Sequence, residues 1–137
     1  MTLKYDGELL RIMKLFEQVT RVPIKEVVTF KNTLTFIVKE GFLGKALGRG
    51  KENLNKLTGL MNRKIKIVEF NPSVLQFVIN LISPLKVVDI KQEDEMIIIT
   101  GPDTKTKGLM IGAGGQNLRE LEKIVQRHFP VKEIKVI

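Results

Sequence analysis

The sequence contains no cysteine and a single histidine, and these two scarcities exclude several kinds of chemistry. Without cysteine the chain forms no disulfide, no zinc–thiolate site and no thiol nucleophile. His128 follows Arg127 near the end of a predicted helix, where a structural or surface role is expected rather than general base catalysis. No paired carboxylates and no cluster of metal ligands stand out. We therefore expect neither an enzyme activity nor a cofactor.

Long hydrophobic runs are also missing. No stretch of about 18 apolar residues exists, so no membrane-spanning helix is expected. The longest candidate, 74–82, is interrupted by Gln76 and Asn80. Residues 1–6 lack the apolar region of a secretory signal peptide. The sequence therefore predicts a cytoplasmic protein with no membrane partner.

Acidic residues are scarce relative to basic ones, which gives a formal net charge of +8. Residues 1–70 hold 14 Lys and Arg against 7 Asp and Glu, whereas residues 71–137 hold 9 against 8. This excess predicts an acidic partner, nucleic acid first and an anionic surface second. A surface that only keeps the protein soluble is the alternative. The few aromatic residues lie at core-like positions, so stacking of bases on aromatic rings is not expected.

Two stretches, 47–54 and 111–118, are near copies of each other. Each has an aliphatic residue, a glycine-rich loop and a helix pattern that opens on an Asn-Leu pair. A glycine loop at a helix start presents free backbone N–H groups and the positive end of the helix dipole, so it can receive an anion such as phosphate. The alternative is that the glycines only permit tight turns between helices.

Apolar spacing predicts the same order of elements in both halves: helix, strand, strand, helix, loop, helix, strand. In the first half the predicted elements are a helix at 7–20 with Asp6 as N-cap, strands at 27–30 and 33–38, a helix at 42–47 and a strand at 64–70. In the second half they are a helix opened by Asn71-Pro72, strands at 87–90 and 96–100, and a strand at 133–137. The predicted buried stripes of the helices after the loops are Leu54, Leu57, Leu60 and Met61, and Leu118, Leu121, Ile124 and Val125. Two domains, 1–70 and 71–137, follow from this repeat. Their short junction predicts a nearly fixed relation between them.

Nucleotide-binding motifs fit the loops poorly. Both loops begin with a G-x-G pattern, and Glu69 and Glu133 lie about 20 residues further on, where a ribose-binding acid would stand. Asn53 and Asn117 replace the third glycine, however, and helix patterns precede the loops where the dinucleotide motif requires a strand. A P-loop would need Ser or Thr at the position of Glu52. A loop that clamps a polymer backbone remains.

The loop and the element order resemble two type II KH domains in tandem. Gly112-Ala113-Gly114-Gly115 matches the G-x-x-G signature, with Ile111 before it and Leu118 after it. The resemblance implies an α+β fold in which each αββααβ unit has a small three-stranded mixed sheet with helices packed on one face. It also implies that the loop grips about four nucleotides of single-stranded nucleic acid by their sugar-phosphate backbone.

The first loop departs from this signature, because Lys51 stands where the fourth glycine belongs. We expect this lysine to alter the approach of phosphates to the loop backbone, an effect offset by the charges of Lys45, Arg49 and Lys51. The first loop should therefore contribute more to electrostatic attraction, and the second more to close backbone fit. The expected RNA-binding residues are Lys45, Gly48, Arg49, Gly50, Lys51 and Asn53 in the first half, and Lys105, Lys107, Gly112, Ala113, Gly114, Gly115, Asn117 and Arg119 in the second.

Among KH proteins the chain is similar to the archaeal NusA-like factors, which consist of two KH domains and little else. This resemblance implies a monomer that binds single-stranded RNA in transcription termination or antitermination, with RNA polymerase and other transcription factors as further candidate partners. Two alternatives stay open. One is another KH function in ribosome assembly or RNA decay, and the other is a protein-interaction scaffold with degenerate loops.

Overall fold

The computed structural model, which describes residues 7–137, divides into two units, Met1–Asn71 and Pro72–Ile137, that repeat one order of elements. The first unit contains α1 (Gly7–Thr20), β1 (Glu26–Phe30), β2 (Thr33–Val38), α2 (Leu43–Leu47), α3 (Glu52–Met61) and β3 (Ile65–Glu69). The second contains α4 (Val74–Ile82), β4 (Asp89–Glu93), β5 (Met96–Thr100), α5 (Thr104–Ile111), α6 (Gln116–Gln126) and β6 (Glu133–Val136). The predicted α+β class and element order are confirmed.

Each unit has a small mixed sheet. The first two strands form an antiparallel hairpin and the third pairs in parallel with the second, which gives the orders β1-β2-β3 and β4-β5-β6. Lys31 and Asn32 both have positive φ, 54° and 59°, as the two central residues of a type I′ hairpin turn require. A parallel partner needs a crossover connection, and α2 with α3, or α5 with α6, supplies it. The loop of interest therefore lies within the crossover of each unit.

Hydrophobic packing holds the helices of each unit together and against its sheet. In the first unit the rings of Phe16 and Phe36 stack with centroids 4.4 Å apart, and Leu57 of α3 is fully buried in the same cluster. In the second unit Phe77 of α4 is fully buried and meets the ring of His128 edge-on at 5.7 Å. His128 thus has the structural packing role that was expected. None of the described helices is long and apolar enough to cross a membrane.

The buried stripe of α3 is narrower than predicted. Leu57 is fully buried, and Leu54 and Met61 pack against the core, but Leu60 is 55% exposed. At roughly 100° per residue, Leu60 lies about 90° around the helix from the centre of the other three. The prediction that Leu60 is buried was therefore wrong, whereas Leu121, Ile124 and Val125 of α6 are buried as expected.

The start of α4 also differs from the prediction. Its N-cap is Ser73, whose hydroxyl accepts a hydrogen bond from the backbone N–H of Gln76 at 3.5 Å. Asn71 instead donates its side-chain amide to Glu40 at 3.1 Å. The predicted N-cap of α1, Asp6, lies outside the described residues.

Strand β4 begins two residues later than predicted. Val88 is 66% exposed and precedes the strand, while Gln92 and Glu93 belong to it. The turn that joins β4 to β5 is Asp94-Glu95, with Asp94 at φ 54°, because Glu93 pairs directly with Met96. The sequence prediction included the apolar residues 87–88, which precede the strand, and therefore placed β4 too early in the chain.

Candidate nucleic-acid interface

The two glycine loops have the same backbone conformation. Gly48 and Gly112 have φ/ψ of 79°/170° and 75°/172°. Gly50 and Gly114 have 59°/26° and 60°/22°. In each unit the tight turn Arg49–Lys51 or Ala113–Gly115 contains the second of these glycines and leads directly into the following helix. Each loop therefore stands at a helix N-terminus.

The departure at Lys51 leaves this shape intact. Lys51 has φ 61° and ψ 27°, and its counterpart Gly115 has φ 76° and ψ 14°, so both lie in the left-handed region. The lysine therefore leaves the loop backbone unchanged, and the altered approach of a nucleic acid to this loop stays a prediction. The lysine instead takes a conformation that L-amino acids adopt at a cost of roughly 1–2 kcal/mol.

The first glycine of each loop is required by an asparagine of the same unit. A Cβ atom on Gly48 would lie 2.8 Å from Cγ of Asn53, and one on Gly112 would lie 2.6 Å from Cγ of Asn117. The side-chain amide of Asn53 donates to the carbonyl of Lys45 at 3.2 Å, and that of Asn117 donates to the carbonyl of Leu109 at 3.0 Å. Each asparagine thus ties the start of one helix to the end of the helix before it.

Gly50 and Gly114 are different, because a Cβ atom on either would meet nothing within 4 Å. Both residues are exposed at the outer surface of the loop. The space beside them is therefore open to a ligand, whereas the space beside Gly48 and Gly112 is filled by the protein itself.

Free backbone donors accompany this open space. The N–H of Lys51 donates to the carbonyl of Gly48 at 3.1 Å, and that of Gly115 donates to Gly112 at the same distance. The two preceding amides of each loop, at residues 49–50 and 113–114, donate to no acceptor within the part of the chain that the structure describes. Such paired N–H groups at a helix start attract an anion.

The cations around the two loops are arranged differently. Lys45, Arg49 and Lys51 are all exposed, and none forms an ion pair with a carboxylate within residues 7–137. At the second loop, Arg119 donates from Nη1 to the carbonyl of Gly114 at 2.7 Å. The side chain of Arg119 therefore lies at the loop, whereas the sequence predicted only that Arg119 belongs to the RNA-binding residues.

Lys105 and Lys107 are less close to the second loop than the sequence suggested. They lie in the first half of α5, seven and five residues before Gly112. Seven residues of helix span about 10 Å, so Lys105 is near the opposite end of α5. The stem of Lys107 lies over Gly101, whose Cβ position would be 2.5 Å from Cγ of the lysine. The structure thus places Lys105 near the end of α5 that is remote from the loop, and the stem of Lys107 beside Gly101.

Carboxylates hold the helices that lead into the loops. Glu69 accepts hydrogen bonds from the backbone N–H groups of Gly41 at 2.9 Å and Leu43 at 3.4 Å, at the start of α2. Asp103 caps α5 by accepting from the N–H of Thr106 at 2.7 Å, and this hydrogen bond lowers the pKa of its carboxyl group. Glu69 therefore positions a helix and is not placed as a ribose ligand.

Metal binding finds no support in the same region. Within the described residues no group of three or more His, Asp or Glu side chains could hold a metal ion. The loops themselves offer backbone N–H donors, side-chain cations and open space beside two glycines.

Comparison with known proteins gives a consistent family. The probable transcription termination protein NusA of Methanocaldococcus jannaschii is 31% identical over 131 residues, which are 92% of this chain and 72% of that protein. The protein of the same name from Halobacterium salinarum is 26% identical over 138 residues, 99% of both chains. The crystal structure of APE1850 aligns with a TM-score of 0.65 and 25% identity over 93% of this chain and 96% of that one. No protein-family model matches the chain.

These similarities extend over nearly the whole sequence. The chain belongs to the family of archaeal NusA-like transcription termination proteins. The relatives share one printed name, probable transcription termination protein NusA.

Proposed function

We propose that the chain consists of two type II KH domains, 1–70 and 71–137, that bind single-stranded RNA in transcription termination or antitermination. The αββααβ order with a three-stranded mixed sheet in each unit supports this assignment. Membership of the family supports the role in transcription, because its members are named as transcription termination proteins. RNA polymerase is a further partner that this role would require, directly or through other factors. We infer a cytoplasmic monomer.

One observation carries the RNA-binding part of the proposal: both loops place two free amides beside a glycine with open space. A phosphate of the RNA backbone would accept from the amides of residues 49–50 or 113–114, and Gly50 or Gly114 would let it approach. Lys45, Arg49 and Lys51 would add charge at the first loop. We also infer that the bases lie against aliphatic side chains next to the loops.

The two asparagines, Asn53 and Asn117, have two roles in this proposal. Asn53 and Asn117 keep their loops closed through the hydrogen bonds described above. Their side-chain oxygens are the part left to contact RNA. The loops would therefore arrive at the RNA already shaped, without an ordering cost at the moment of binding.

The proposal is tested by fluorescence anisotropy with a labelled single-stranded RNA at low salt. The variant Gly50→Asp/Gly114→Asp places a negative charge where the phosphate should lie. Its matched control, Gly50→Asn/Gly114→Asn, adds the same volume without the charge. Asp and Asn both tolerate the left-handed region, so both proteins should fold. We expect the Asp variant to lose nearly all affinity and the Asn variant to lose less.

Unchanged affinity of the folded Asp variant would contradict the clamp. The salt dependence gives a second measure, because removal of one phosphate interaction should reduce the slope of log K against log salt by about 0.7 for a single strand. Sequencing of RNA crosslinked to the protein in cells would then identify the target. Ribosomal RNA in place of nascent transcripts would contradict the transcription role while leaving RNA binding intact.

A further inference from the structure

The two loops differ in where their cation is attached, although their backbones coincide. In the first loop Lys51 is the fourth loop residue, and Asn55 stands four residues later. In the second loop Gly115 is the fourth residue, and Arg119 stands four residues later. A cation and a neutral residue thus occupy the same two positions in opposite order.

The geometry of Arg119 explains how a cation on the helix can serve the loop. Side chains of an α-helix point toward its N-terminus, so a residue in the first turn of α6 extends back over the preceding loop. Nη1 of Arg119 lies 2.7 Å from the carbonyl oxygen of Gly114 and 3.0 Å from the position that a Cβ of Gly115 would occupy. The absence of a side chain at Gly115 makes room for the guanidinium.

The charge of Arg119 remains available in this position. Its acceptor is a neutral carbonyl, and no carboxylate forms an ion pair with it within the described residues. A guanidinium has five N–H donors, and the bond to Gly114 uses one of them. The others can bind a phosphate in the bidentate manner typical of arginine.

We propose that Arg119 is the phosphate-binding cation of the second loop and replaces, from the helix, the charge that Lys51 supplies from within the first loop. Gly115 is then a glycine because Arg119 occupies its side-chain space, and not only because of its left-handed conformation. This inference rests on the proposed RNA-binding function. It assigns a role in binding to a position whose counterpart in the first unit, Asn55, is neutral.

The test exchanges the two arrangements in a Gly50→Asp background, in which the second loop dominates binding. Arg119→Gln removes the charge but keeps an amide that can donate to Gly114. Gly115→Lys/Arg119→Asn installs the arrangement of the first loop. We expect Arg119→Gln to weaken binding to a single-stranded RNA about tenfold. The double variant should recover affinity to within about threefold of the background protein, because its lysine restores one phosphate interaction.

Circular dichroism and hydrogen exchange of α6 check that each variant is folded. An affinity of Arg119→Gln equal to that of the Gly50→Asp background protein would overturn the inference, since the charge would then be unnecessary. A folded double variant no stronger than Arg119→Gln would overturn it as well. If the wild-type chain bound no single-stranded RNA, the proposed function itself would fail, and that outcome is distinct from both.

Discussion

Lys51 provides a test of whether the positive charge in the first loop lowers the folding stability of the first unit. Its backbone is left-handed, at φ 61° and ψ 27°, although lysine has a Cβ atom that disfavours this region. We predict that Lys51→Gly stabilises the first unit and at the same time weakens RNA binding. The two effects have different origins, one in the backbone and the other in the side chain.

The magnitude follows from two opposing terms. The left-handed conformation costs an L-residue roughly 1–2 kcal/mol, and that cost disappears with glycine. Glycine also lowers the free energy of unfolding by about 0.5–1 kcal/mol, because it makes the unfolded chain more flexible. The side chain of Lys51 is exposed and makes no hydrogen bond or ion pair in the described structure, so its removal disturbs little packing. A net gain of about 0.5–1 kcal/mol is expected.

Lys51→Ala is the matched control, because alanine retains the unfavourable conformation and removes only the charge. Urea denaturation of the full chain gives the free energy of unfolding, and hydrogen exchange of peptides from 43–61 assigns the change to this loop. Both variants should lose RNA affinity to the same extent and show the same reduction of the salt slope, about 0.7. Only Lys51→Gly should be more stable than the wild type.

A Lys51→Ala variant as stable as Lys51→Gly would refute this account, because the backbone would then carry no strain. Unchanged RNA affinity with glycine at this position would refute its second part. Gly115→Ala in an Arg119→Ala background provides an independent check, since no guanidinium then occupies the space of the new methyl group and only the conformational cost should destabilise the second unit.

Three other predictions address the surroundings of the loops. Gly112→Ala should destabilise the second unit by about 2–4 kcal/mol, and by clearly less in an Asn117→Ala background. Equal losses of unfolding free energy in the two backgrounds, measured by urea denaturation, would contradict the close approach of Asn117 to Gly112. Burial lowers the pKa of Lys66 to about 8 from 10.5, so wild-type stability should rise between these pH values, where the unfolded state binds more protons. Lys66→Met should be more stable than wild type below pH 8, with a difference that shrinks toward pH 10.5; a pH-independent difference would exclude this titration. Glu69→Gln should speed hydrogen exchange at the start of α2, and unchanged exchange there would show that its two hydrogen bonds contribute little.

Local patterns predicted the elements well where several signals agreed. The β-branched runs around Lys31-Asn32 gave the hairpin, and the repeated loop gave the two-unit organisation. The errors fell where one signal was used alone. Leu60 satisfied helical spacing but lies off the buried arc of α3. Val88 has a strong β propensity, yet the pairing of Glu93 with Met96 decides where β4 lies.

The loop geometry could be predicted only in part. The glycines indicated an anion-binding loop or a tight turn between helices, but nothing in the sequence indicated that Lys51 would take the same conformation as Gly115. The role of Asn53 and Asn117 was also missed, although their identical spacing from Gly48 and Gly112 was a usable signal. The hydrogen bonds that Glu69 accepts from the start of α2 join residues 26 and 28 positions apart, and no local pattern indicates such pairs.

The fit between the first glycine and the asparagine five residues later has a consequence for sequence comparison. A search for G-x-x-G finds the second loop and overlooks the first, whose fourth residue is lysine. A search for Gly-x₄-Asn-Leu finds both, because it follows the contact that closes the turn instead of the residues that face the ligand. In divergent relatives these two positions should change together, since a side chain at the glycine could be accommodated only after the asparagine is gone.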